Sequence, residues 1–268
     1  MVMAKGRRLL ALLMAVLICG AVGISGCNEK DDKNVKNEKA LHDEANLSSS
    51  KSESAVREQA KTVLCIDPGH PSDGDDGLTV QHGLREADVT LQVGQRLASI
   101  LEKKYGFQVI LTRQDKETIV SNQARARKAN EAQAALFFRL HCDSEPSEKR
   151  TGFAVYYPDR QGTVDGVTGP STVVIEKSRV AAEAIHQELA EGMGEQLKDN
   201  GVRTDAQTYI GGKQGALTGS IYSQVPVALV EMVFLSNQRD AQFIGSPEGQ
   251  ERMADSLAKG IVKFLKTN

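Results

Sequence analysis

The chain has 268 residues, with 33 basic and 35 acidic side chains and a formal net charge of −2. That balance, with no basic stripe, excludes a dedicated nucleic-acid binder. Trp is absent and aromatics make up 4% of the chain, so no stacking platform for bases or sugars is evident.

The N-terminus reads as a targeting segment. Lys5, Arg7 and Arg8 precede an apolar run, Leu9 to Ile24, with small residues near its end. The end of that run, Ile24-Ser25-Gly26-Cys27, resembles the lipobox of bacterial lipoprotein signals. The resemblance implies a mature protein that begins at a lipidated Cys27 and sits outside the cytoplasmic membrane. The alternative is an uncleaved membrane helix. Residues 27–60 are rich in Lys, Glu, Asp, Asn and Ser and cannot bury enough surface to order themselves, so they read as a flexible polar tether carrying His42. The expected organisation is a signal at 1–26, a tether at 27–60 and a folded domain at 61–268.

From Thr62 the pattern alternates. Expected strands are Thr62–Ile66, Phe107–Leu111, Ala135–Leu140, Gly152–Tyr156, a weak one at Thr208–Ile210, and Val227–Phe234. Expected helices are Glu86–Lys104, Ser121–Glu131, Ser178–Leu197 and Pro247–Leu265, with Ser121 as a cap and Pro247 at a first helical position. Asp159–Thr172 reads as a long loop and the one candidate lid. Strands alternating with helices predict an α/β domain whose mostly parallel sheet is covered on both faces. Cys65 and Cys142 are expected as separate small apolar side chains, although spacing leaves a disulfide between them open.

Four residues stand out at the ends of these elements. His70 follows the first strand in Asp67-Pro68-Gly69-His70, Glu86 opens the first helix, and His141 follows the central strand. Open α/β sheets place ligands at such strand ends. Two His and one Glu leave a fourth zinc position free, as catalytic zinc sites do. Glu231 lies inside the apolar run Val227 to Phe234, where an ionised carboxylate is costly without a partner. A buried acid facing a cleft is a candidate for acid–base work. Each has a plain alternative: a surface histidine for His70 and His141, and a helix N-terminal acid for Glu86. His82 reads as a loop residue and His186 as part of a solvated helix face. Arg113 and Arg125 read as ion-pair or packing residues, and Asp67 and Asp143 as possible orienters of a ligand histidine.

The segments Ile66-Asp67-Pro68-Gly69-His70, Gly83-Leu84-Arg85-Glu86, Leu111-Thr112-Arg113, Arg125 to Asn130, Leu140-His141-Cys142-Asp143-Ser144 and Val230 to Asn237 together resemble the zinc-dependent N-acetylmuramoyl-L-alanine amidases of the amidase-3 type. The resemblance runs from about Val63 to the C-terminus. It implies a single α/β domain with a roughly six-stranded sheet, one Zn2+ bound by His70, Glu86 and His141, and Glu231 as the catalytic acid–base. It implies peptidoglycan as substrate, cut between N-acetylmuramic acid and L-alanine. Arg139, Cys142 and Val233 depart from the usual pattern without removing a ligand. Arg139 either brings charge to the site or points away from it. The rival readings are a non-catalytic peptidoglycan-binding or regulatory lipoprotein, and a zinc peptidase or deacetylase acting on wall material. No nucleic-acid partner is expected. Regulation falls to location or to an unidentified protein partner.

Overall fold

The computed structural model describes residues 62–267 apart from Asp73, Asp76 and Leu78. The expected signal, Cys27, His42 and the tether lie outside these residues. Among the described residues, no helix is long and apolar enough to cross a membrane.

The elements are β1 (Val63–Pro68), β2 (Val80–Gln81), β3 (Leu84–Arg85), α1 (Glu86–Tyr105), β4 (Gln108–Leu111), α2 (Asn122–Glu131), β5 (Leu136–Asp143), β6 (Phe153–Tyr157), β7 (Gly162–Val164), β8 (Val167–Gly169), α3 (Thr172–Met193), β9 (Asp199–Thr204), α4 (Tyr209–Gln214), α5 (Thr218–Ile221), β10 (Val227–Phe234), α6 (Gln238–Gly245) and α7 (Pro247–Thr267). Six strands form one sheet in the order β4-β1-β5-β10-β6-β9. Every neighbouring pair is parallel except β10 with β6. The expected α/β class and mostly parallel six-stranded sheet are therefore present.

Strand side chains alternate between faces, and here the alternation divides structure from chemistry. Leu64 and Ile66 of β1, Leu136, Phe138, Leu140 and Cys142 of β5, and Ala228, Val230 and Met232 of β10 enter the larger core. That core is completed by α1, α3 and α7, including Leu97, Ile185, Leu257 and Ile261. The opposite face begins apolar with Cys65, Phe137 and Val227 against Ala126 and Ala129 of α2. Toward the strand C-termini it turns polar, with Asp67, Arg139, His141 and Glu231 following at alternate positions. The site is thus the unsealed end of the face that α2 covers. Cys65 and Cys142 are free thiols on opposite faces, and no disulfide joins them.

Four expectations need correction. The weak strand at Thr208–Ile210 is instead the start of α4, with the Thr208 hydroxyl accepting from the Gly211 amide. The sixth strand is β9, a polar edge strand containing Gly201 at φ 81°, which lacks the apolar alternation that would signal it. Helix α3 starts at Thr172, capped by Ser171, six residues before the expected Ser178. Its first turns, Thr172-Val173-Val174-Ile175, are β-branched and weak in helix propensity. Finally, β5 continues to Asp143, so His141 is inside a strand and inherits its rigidity. Ser121 does cap α2, through a bond from the Ala124 amide, and Pro247 does open α7.

Candidate active site

His70, Glu86 and His141 come together from three elements. Each offers one ligand atom, and these atoms lie within 4.8 Å of one another. Glu86 Oε1 is 3.1 Å from His141 Nδ1 and 3.2 Å from His70 Nε2. The two rings meet edge to face with centroids 5.0 Å apart. Burial opposes ionisation of Glu86, but His141 and His70 outweigh it and hold the carboxyl at about 2. Burial would make His70 lose its proton more readily, yet Glu86 and Asp75 raise its proton affinity above the ordinary value. Burial prevails at His141 and lowers it.

The donor set fits a zinc ion by its chemistry: two imidazoles and one carboxylate, crowded around a shared point. His141 Nε2 is buried with no hydrogen-bond partner. Buried polar atoms are rarely left so without a reason. Glu86 also accepts the Cys142 amide at 3.0 Å, which fixes its carboxylate beside the histidines.

Glycine makes the approach possible. A Cβ on Gly69 would lie 2.5 Å from His141 Cε1, and one on Gly77 would lie 2.5 Å from His70 Cβ. His70 itself sits at φ 54°, in the left-handed region that few non-glycine residues adopt.

Two buried arginines hold that conformation. The loop leaving β1 carries carbonyls that the sheet no longer pairs, and a guanidinium offers a planar fork of donors to meet them. Arg125 donates to the carbonyls of Pro68 and Pro71, each at 2.7 Å. Arg113 donates to those of Pro68 at 3.0 Å and Gly69 at 2.9 Å, and to Ala87 in α1 at 2.6 Å. Of the expected ion-pair or packing roles, Arg125 takes the ion pair, with Asp67, and Arg113 braces buried backbone carbonyls. Asp67 does not orient a histidine. It is fully buried and receives Arg125 Nη1 at 2.7 Å, Arg139 Nε at 2.9 Å and the Thr112 hydroxyl. Burial would raise its pKa, but Arg125 and then Arg139 pull it well below the carboxylate range. Asp143 bonds the Ser144 amide and touches neither histidine.

Glu231 is the register partner of His141 across β10 and β5. Its Oε2 is buried without a partner. Burial first, then the charges of Glu86 and Asp143, push its pKa well above the usual range, while Arg139 acts in the opposite sense. The ligand residues and Glu231 share a cleft of about 690 Å³ with Arg139, Asn122, Leu229, Thr208, Tyr209, Ile210 and Leu217.

Sequence reasoning missed the wall at 208–218, reading only a weak strand at its start; it is a run of short helices braced by the buried Asp205, which accepts the Leu217 amide. Tyr209 and Ile210 on that wall are exposed apolar residues at the cleft. Residues 159–172 do not line it. They form the β7–β8 hairpin, which packs against α4 and α5 behind the wall. His82 holds the Ser236 carbonyl at 3.1 Å, a loop role, and His186 pairs with Asp199 at 2.8 Å on α3. Arg139, left open by the sequence, is buried and lines the cleft.

A family model described as N-acetylmuramoyl-L-alanine amidase matches residues 64–263. The amidase LytC of Bacillus subtilis is 30% identical over 204 residues, covering 76% of this chain and 36% of LytC, so the chain spans little more than a third of that relative. The germination-specific N-acetylmuramoyl-L-alanine amidase of the same bacterium is 26% identical, covering 76% of this chain and 79% of that protein. Among solved structures, the amidase AmiC2 of Nostoc punctiforme aligns with a TM-score of 0.62 at 28% identity, over 77% of this chain and 98% of that chain. The catalytic domain of the amidase CwlV, from Bacillus (Paenibacillus) polymyxa var. colistinus, shares the fold with a TM-score of 0.61 at 24% identity, over 77% and 99%. With a family match that includes all four residues of the cleft constellation, the chain belongs to the N-acetylmuramoyl-L-alanine amidase family.

Proposed function

We propose that this domain hydrolyses the amide between N-acetylmuramic acid and L-alanine of the peptidoglycan stem, with one Zn2+ held by His70, Glu86 and His141 and with Glu231 as general acid–base. The convergence of three ligand atoms within 4.8 Å, beside a buried carboxyl in register with one of them, carries the reading. Bound zinc supplies Lewis acidity, lowering the proton affinity of water and polarising an amide carbonyl. Glu231 handles the proton. A carboxyl lifted above its ordinary range accepts a proton from the attacking water and returns it to the leaving amine. Glu86 keeps both imidazoles oriented, and the Arg113 and Arg125 bonds keep the His70 loop from relaxing.

The test is zinc content measured alongside product analysis on purified peptidoglycan. The expected result is about one zinc per chain and a new L-alanine amine. Acetate would identify a deacetylase, and an amine within the stem a peptidase. Zinc without any product would favour a binding or regulatory lipoprotein.

From the apolar run Leu9–Ile24 and Cys27 we further propose that the protein is lipid-anchored outside the cytoplasmic membrane. Replacing Cys27 by Ala should move it from the membrane fraction to the soluble fraction. Unchanged membrane association would reject the lipid site.

A further inference from the structure

We propose that Arg139 reads a carboxylate on the substrate, namely the free α-carboxylate of the residue following L-alanine in the stem. This rests on the amidase reading and adds which stems the cleft favours.

Arg139 lies two residues before His141 on β5, so both side chains leave the same face, roughly 7 Å apart along the strand. It is 4% exposed and lines the cleft. Its one ion-pair partner among the described residues is shared. Asp67 carries one negative charge between two guanidiniums, with Oδ1 engaged by Arg125 and Oδ2 by Arg139. Glu86 and Asp75, also in the cleft, face the histidines. Asp143, Glu231 and the buried Asp205, whose carboxyl feels the Arg139 charge, form no ion pair with Arg139 among the described residues. A buried cation that shares its one ion-pair partner with a second guanidinium is incompletely neutralised, and an arriving anion adds to that neutralisation.

The guanidinium is also held ready. Arg139 Nε is fixed by Asp67 at 2.9 Å and Nη2 by Asn122 Oδ1 at 2.6 Å, while Nη1 makes no hydrogen bond among the described residues. Gly219 sits beside that free nitrogen. A Cβ there would come 2.7 Å from Nη1 and 2.9 Å from Cζ, so any larger residue would push the guanidinium from its place. A guanidinium edge fixed in this way suits a planar carboxylate.

Spacing selects which carboxylate. The scissile nitrogen belongs to L-alanine. The next α-carbon lies about 3.8 Å past that of alanine, and its carboxylate reaches further still. The backbone offset between His141 and Arg139 along β5, roughly 7 Å, is of the same order.

The experiment compares glycan oligomers whose stems differ only in whether the second residue carries a free α-carboxylate or an α-amide. Amine release by the full chain should show kcat/KM at least about tenfold higher for the free acid, mainly through KM. Arg139→Gln should bring the ratio toward about one, and Arg139→Lys, which keeps the charge without the fork, should fall between. Asn122→Ala, which frees Nη2 and leaves the buried pair intact, should lower the ratio if Arg139→Gln fails to fold. Equal wild-type rates on both substrates would overturn the inference and leave the amidase reading standing. A folded Arg139→Gln protein with the preference intact would overturn it as well. No amine from either substrate would remove the amidase reading and this inference together.

Discussion

Glu231 and His141 are register partners on adjacent parallel strands, so one buried carboxyl and one candidate ligand leave the sheet side by side on the same face. The hydrogen-bond ladder fixes that distance, which no loop movement can change. In the proposed mechanism, proton handling and metal holding would therefore rest on the stiffest part of the molecule.

Glu231→Gln should keep the zinc and lose the chemistry. The amide is nearly isosteric and Glu231 is not among the three converging ligands. Loss of a general acid–base group lowers turnover by roughly 10²- to 10⁴-fold. Metal analysis together with single-turnover amine release decides the matter, and near-normal turnover would remove Glu231 from the mechanism.

Removing a ligand should behave differently. His70→Ala, His141→Ala or Glu86→Gln should lose the metal itself, and a chelator should reproduce that state in the wild type. If zinc binds the folded chain alone, adding it at about 100 times its Kd should raise stability by about 2.7 kcal/mol. Thermal melts with and without zinc measure this, and a melting point indifferent to both zinc and chelator would count against the site.

Gly69 should tolerate no side chain. Alanine there would place Cβ 2.5 Å from the His141 ring and 2.7 Å from the Leu140 carbonyl, which belongs to a strand that cannot retreat. The ring must turn instead. Zinc affinity in Gly69→Ala should drop by about 10- to 100-fold, the range seen when ligand orientation is disturbed. Competition with a chelating dye reads that change directly.

The Asp67 cluster sets acid stability. Its native pKa lies below the unfolded value of about 3.9, so its contribution is fully present above that pH and fades as the pH falls through the native value. Asp67→Asn strands two buried guanidiniums and should cost about 3–5 kcal/mol at neutral pH. Urea unfolding of both proteins from pH 2 to pH 7 tests this. The gap between them should narrow toward the acid end, and a constant gap would mean that Asp67 is not the titrating group.

Much of the architecture is legible because hydrophobic pattern is local. The runs at Val63, Leu136 and Val227 are apolar on both faces, as central parallel strands must be, and each appears where the pattern puts it. The edge strand β9 hides because pairing on one side asks little of its side chains. The start of α3 hides because tertiary packing overrides the poor helix propensity of Val173 to Ile175. The histidines, Glu86 and Glu231 stand out individually because their residue types are unusual at strand ends and in an apolar run.

What the sequence determined by itself was the α/β class, the central strands and the residue types, two His and two Glu, that make a candidate site. Tertiary structure alone decided what the charged residues between them do. Asp67 looks like a partner for a histidine, yet the parallel register places Arg139 beside it and α2 brings Arg125 over it. Whether Arg139 faces the cleft, and which segment builds the opposite wall, depend on strands and helices far apart in the chain. Those contacts are set by sheet order and packing, which no local run of residues encodes.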